Sequence, residues 1–177
     1  MSSKPAVQIG DKVLRQKAKT VGAVFAPEIQ KTIEDLVDSM RHENLVGMAA
    51  PQIGKSVQIF VTEIRQTTYR KNISESDSLR VFINPKIIEK SVAQLNAYEG
   101  CGSVVGAQLF GAVKRAKTVT CEALDAEGKS FKIKALGFLA RVIQHEIDHL
   151  NGRLFIDCVS DTKTLMDRKA YMESQKS

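Results

Sequence analysis

Three things are largely missing from this sequence: cysteine, long apolar runs and dense blocks of one charge. Only Cys101, Cys121 and Cys158 occur in 177 residues. An odd, sparse set builds no disulfide framework, so the fold has to rest on an apolar core. No stretch approaches the roughly 20 apolar residues of a membrane span. The start, MSSKPAVQIGDKVLRQ, lacks the apolar centre of a signal peptide. These absences point to a reducing, cytoplasmic compartment, with an organellar matrix as the alternative. Basic residues outnumber acidic ones, 26 to 20, for a net charge of +6. They form no dense run interleaved with aromatics, so specific nucleic-acid binding is not expected. Repeats, linkers and low-complexity tracts are also missing. With 43% hydrophobic and 26% charged residues, one catalytic domain over residues 1–177 is expected.

Local patterns divide the chain. Pro27 suits a first helical turn, and Ile29, Ile33, Leu36, Val37 and Met40 recur on one face, predicting a helix that ends near Asn44. Segment 45–54 reads as a Gly/Pro-punctuated loop. Val57–Thr62 and Leu79–Ile83 read as strands, the second closed by Asn84-Pro85, with a third over Lys86–Ala93. Residues 65–78 read as a polar surface loop. Thr118–Leu124 and Ser130–Ala135 flank Asp125-Ala126-Glu127-Gly128 as a hairpin. Leu139, Val142, Ile143, Ile147 and Leu150 give the stripe of a helix over Leu136–Leu150, stopped by Asn151-Gly152. A last helix is predicted over Thr162–Met172. His42 reads as a surface residue of the first helix.

The strongest chemical signal is His145-Glu146-Ile147-Asp148-His149. On a helix, His145 and His149 stand one turn apart on one face and can share a metal ion. Glu146 is left free to act as a base toward water. A third protein ligand is needed. Extension to H-x-x-G-x-x-H fails, because Phe155 stands at the last position, and the only downstream glutamate is Glu173. Cys101, in the glycine-flanked Glu99-Gly100-Cys101-Gly102-Ser103, is the best candidate. Cys121 and Cys158 read as small buried hydrophobes.

With Val46-Gly47-Met48-Ala49-Ala50-Pro51-Gln52 preceding these two motifs in order, the chain resembles the peptide deformylases over about residues 10 to 160. That family carries G-x-G-x-A-A-x-Q, E-G-C-x-S and H-E-x-D-H. The resemblance implies an α+β fold, with antiparallel sheets around a central metal-bearing helix. It implies Cys101, His145 and His149 as metal ligands and Glu146 as general acid and base. Gln52 and the Gly102 N–H would stabilise an oxyanion. Gly47 would bond an extended peptide. Val46, Glu99 and Ile143 would complete the substrate site. Fe²⁺ is the implied physiological ion, with Zn²⁺, Ni²⁺ or Co²⁺ able to replace it. The implied substrates are N-formylmethionyl peptides.

Two departures stand out. Leu45 occupies the first glycine of the loop motif, where it either forbids a left-handed backbone or fills part of the substrate groove. Gly102 stands where the family typically carries leucine. The segment from Cys101 to Arg115 is also slightly long. Arg115 is expected to pair with Asp148 behind the metal helix. Two rival readings remain: a small zinc endopeptidase, and a deformylase-like paralogue without turnover. Lys163, Arg168 and Lys169 offer either transient ribosome contact or a solvated helix face.

Overall fold

The computed structural model describes residues 3–68, 70 and 75–175. The first helix, α1, runs Pro27–His42 and buries Ile29, Ile33, Leu36 and Met40. His42 lies exposed at its end. The strands are β1 (Gly47–Ala49), β2 (Ile59–Ile64), β3 (Asp77–Lys90), β4 (Gln94–Gly100), β5 (Leu109–Ala116), β6 (Thr118–Leu124), β7 (Ser130–Leu136) and β8 (Met166–Asp167). Helix α2 spans Gly137–Leu150, and a short α3 spans Arg168–Ser174. The fold is α+β, as expected. One sheet has the order β1-β2-β3-β6-β7, the other β4-β5-β8, and every paired neighbour is antiparallel.

Helix α2 packs its apolar stripe, including Ala140, Ile143 and Leu150, against Phe60, Phe82, Val119 and Cys121 of the larger sheet. The Phe60 and Phe82 rings stack with centroids 4.4 Å apart. Each large side chain so buried contributes roughly 1.5–3 kcal/mol. A smaller apolar cluster gathers Leu14, Cys101, Val104, Val113, Leu154 and Phe155. Among the described residues, no helix is long and apolar enough to cross a membrane.

Several sequence expectations shift. Segment 45–54 is not all loop, since it holds the edge strand β1 and a 3-10 turn over Ala50–Ile53. Pro85 does not end a strand. β3 continues through it because Asn84 takes φ +51° and the register slips there, as in a bulge. The Asn84 amide then anchors Val21, accepting from its N–H and donating to its carbonyl, each at 2.8 Å. The expected loop at 65–78 gives way to β3 at Asp77, and its residues 69 and 71–74 lie outside the described residues. The last helix begins at Arg168, capped by Asp167, which accepts from Ala170 N at 2.8 Å. Cys121 is fully buried as expected, whereas Cys158 is half-exposed and its sulfur lies 3.5 Å from Asp148 Oδ2.

Candidate metal centre

The donors come from two elements. Cys101 follows directly on β4, and His145 and His149 sit one turn apart on α2. One ligand atom from each of these three residues lies within 4.8 Å of the others. Cys101 Sγ is 3.3 Å from His149 Nε2. His145 donates from Nδ1 to Glu99 Oε2 at 2.9 Å, which leaves Nε2 as its ligand atom. One sulfur and two imidazole nitrogens, all packed in the interior, fit a tetrahedral Zn²⁺ or Fe²⁺ site with a fourth position for water.

Glu99 is the hub behind the donors. Arg115 donates to both its oxygens, at 3.0 and 2.9 Å, and Arg141 donates to Oε1 at 2.6 Å. Arg115 also reaches Asp148, so the expected pair is present and extends into a network. Burial alone would raise the Glu99 pKa, yet the bonds from His145 and Arg115 hold it well below the usual carboxylate range. Both oxygens are thereby committed to protein groups, although the residue borders the groove. Burial, reinforced by His145, lowers the pKa of His149 and favours the neutral imidazole that a metal requires.

Glu146 faces the same space from α2. Burial pushes its pKa up to about 7. Its Oε2 is buried with no hydrogen-bond partner among the described residues. Gly47 lets it lie there, because a Cβ on Gly47 would come within 2.4 Å of Glu146 Oε1 and 2.8 Å of Val142 Cγ1. Gln52 accepts from Ala49 N at 2.8 Å through Oε1, which turns its Nε2 outward as a donor. That nitrogen lies 3.6 Å from Cys101 Sγ and 3.4 Å from Ser103 Oγ.

A groove of about 440 Å³ opens onto these groups. Val46, Gly47, Gln52, Gly102, His145 and Glu146 all line it. Ile143 does not; it is fully buried in the core against the sheet. Val142 takes its place, and helical spacing signals this, since Val142 stands three residues before His145 and four before Glu146. Phe138 and Arg141 on α2, and Tyr171 and Met172 on α3, are further lining residues that the sequence reading missed. Tyr171 stacks on Phe110 with centroids 4.2 Å apart, a contact between distant segments with no local signal. At the groove mouth the left-handed residue is Asn44, φ +56°, rather than Leu45. Of the two expectations for Leu45, filling the groove wall is the one the structure shows.

The sequence model of the polypeptide deformylase family matches residues 3–165. A peptide deformylase of Dictyoglomus turgidum is 38% identical over 162 residues, covering 92% of this chain and 96% of that protein. The crystal structure of a class I type b peptide deformylase from Acinetobacter baumannii bound to Met-Ala-Ser superposes with a TM-score of 0.83 at 30% identity, over 89% of this chain and 99% of that one. The peptide deformylase of Thermotoga maritima gives 0.77 at 34% identity, over 91% of this chain and all of the other.

Proposed function

The chain belongs to the polypeptide deformylase family, and from that membership we propose how its own residues carry out the reaction. The protein is an enzyme that hydrolyses the N-formyl group from the N-terminal methionine of new polypeptides. The observation that supports the assignment of roles is the convergence of Cys101, His145 and His149 within 4.8 Å, with the unpartnered Glu146 carboxylate beside them.

Cys101 Sγ and the imidazoles of His145 and His149 would hold the metal. When bound, a divalent cation supplies Lewis acidity, acidifying a water and polarising a carbonyl. Glu146, with a pKa near 7, takes a proton from the attacking water as it adds to the formyl carbon. Gln52 Nε2 and the Gly102 N–H donate to the oxygen as it gains charge. Glu146 then passes its proton to the departing amine, and formate leaves. Peptide backbone adds to the edge of β1 at Gly47, since among the described residues β1 pairs with β2 alone. Val46, Val142 and Phe138 flank the methionine side chain.

Iron(II) is the proposed physiological ion, with Zn²⁺, Ni²⁺ or Co²⁺ as substitutes, because one thiolate and two imidazoles suit all of these. Residues 1–177 act as one catalytic domain in the cytoplasm, where its substrates are made. The net charge of +6 favours transient ribosome contact.

The test is formate release from a formyl-Met peptide by anaerobically Fe²⁺-loaded protein, beside its unformylated twin, with metal content measured. Wild type releases formate and leaves the unformylated peptide intact. Glu146→Ala keeps its metal and loses about 10²–10⁴-fold in kcat. Cleavage of internal bonds in the unformylated peptide, or no formate from fully loaded protein, overturns the reading.

A further inference from the structure

Gly102 has almost no free space where a side chain would begin. A Cβ built there lies 3.0 Å from Leu45 Cδ1 and 3.6 Å from Ala6 Cβ. We infer that Leu45 and Gly102 form one steric unit, in which the groove wall beside the Gly102 amide is built from the α1–β1 connection and holds that amide in place. The inference rests on the proposed role of the Gly102 N–H and adds a residue to it.

Both backbones are anchored, so neither yields easily to a larger neighbour. Leu45 N donates to Met40 O at 2.9 Å at the end of α1, and Arg65 Nη2 donates to Leu45 O at 3.3 Å. Gly102 O accepts from Gln8 Nε2 at 2.9 Å, and Ile9 N donates to Ser103 O at 2.8 Å. The Leu45 side chain is half-buried, packs on the α1 core and lines the groove. A single methyl at 102 asks Leu45 to move by a few tenths of an ångström. A leucine asks for more, which truncation of Leu45 supplies beside the Cβ; with Leu45 in place the demand falls on its rotamer and on the 101–103 backbone that carries the N–H and the proposed sulfur ligand.

The test is a double-mutant cycle on the metal-loaded enzyme with Gly102→Leu, Leu45→Ala and the pair, reading kcat, KM, metal content and Tm. Alanine at 45 avoids adding glycine's backbone freedom after Asn44. Gly102→Leu alone lowers kcat about tenfold or more, as the N–H leaves its position, and lowers Tm. Leu45→Ala alone raises KM several-fold, because the Leu45 side chain is part of the groove wall. In the pair, kcat recovers about tenfold over Gly102→Leu and Tm rises. Should Gly102→Leu not fold alone, folding of the pair shows the same coupling. Gly102→Ala with and without Leu45→Ala, read by Tm, repeats the cycle with one methyl. Losses at 102 that are equal within twofold in both backgrounds, with Tm changes that simply add, overturn the inference. The Tm arm stands even if wild type proves to release no formate, so the two failures are distinguishable.

Discussion

At the level of single residues, the site depends on what Gly47 leaves out. Its missing side chain is the space that Glu146 Oε1 occupies, 2.4 Å from where a Cβ would stand. Gly47→Ala therefore swings the carboxylate aside without touching a ligand. We expect kcat to fall about 10²-fold, the low end for loss of a general base, with metal content unchanged. Full activity in that variant would mean that the carboxylate works from another position. Arg115 is the second sensitive residue. Its guanidinium satisfies Glu99 and Asp148 together, and all three side chains are largely withdrawn from water. Arg115→Ala leaves Glu99 to Arg141 and His145 but takes from Asp148 its close buried partner, and breaking a buried pair costs about 3–5 kcal/mol. Urea denaturation of metal-loaded protein reads this, together with reduced metal content as His145 loses a well-held Glu99. An unchanged midpoint and stoichiometry would reduce the network to a bystander.

Among the elements, α2 carries two of the proposed ligands and the proposed base, and its end has to be held as firmly as its middle. Gly152 does this in a left-handed conformation, φ +72°, packed so closely that a Cβ would lie 2.8 Å from the backbone carbonyl of Arg15. Neither the dihedral nor the neighbour accommodates alanine, and backbone cannot rotate away as a side chain does. Gly152→Ala should cost about 2 kcal/mol or more, visible as a lower Tm at equal metal loading; a neutral result would show that the turn relaxes freely. The sequence exposed α2 and its stop because both signals are local: a 3.6-residue stripe, then Asn-Gly. It exposed α1, β2 and the β6–β7 hairpin for the same reason. The strands β4 and β5 stayed hidden. Residues 94–100 and 109–116 pair with each other in register from Gln94↔Ala116 to Gly100↔Phe110, yet neither alternates cleanly on its own. β3 was divided at Pro85 because a bulge depends on the partner strand and on Asn84 reaching Val21. The site followed the same division. The proposed ligands and base lie in short motifs, whereas Arg141's grip on Glu99 and Tyr171's place on the groove need the folded chain.

Across the whole molecule, the N-terminal segment ties α1 to Gln52 and Ser103 beside the candidate site, and one buried charge fastens it. Asp35, on α1, has a side chain only 4% exposed and binds Lys4 Nζ at 2.8 Å and Lys31 Nζ at 2.7 Å. Lys4 N adds a bond to Ser39 Oγ at 2.8 Å. The segment beyond runs past the site, with Val7 N on Gln52 O and Ile9 N on Ser103 O, each at 2.8 Å. Burial pushes the Asp35 pKa up, but the bonds from Lys31 and Lys4 outweigh it and the folded value lies below the ordinary one. The folded state thus holds the carboxylate more readily deprotonated than the unfolded chain does, whose aspartate titrates near pH 4. The stabilisation is complete above about pH 4 and is lost as pH falls through the folded value. Asp35→Asn removes the titrating charge, so its stability should be lower at neutral pH and should fall less steeply than wild type below about pH 4. Urea midpoints from pH 7 down to pH 3 decide it. Because this tether leads to Gln52 and Ser103, the protection of the Val7 and Ile9 amides, after division by their intrinsic exchange rates, should fall in wild type over the same acid range and already be low in the asparagine variant at neutral pH. Parallel acid limbs for the two proteins would place the pH sensitivity in some other carboxylate.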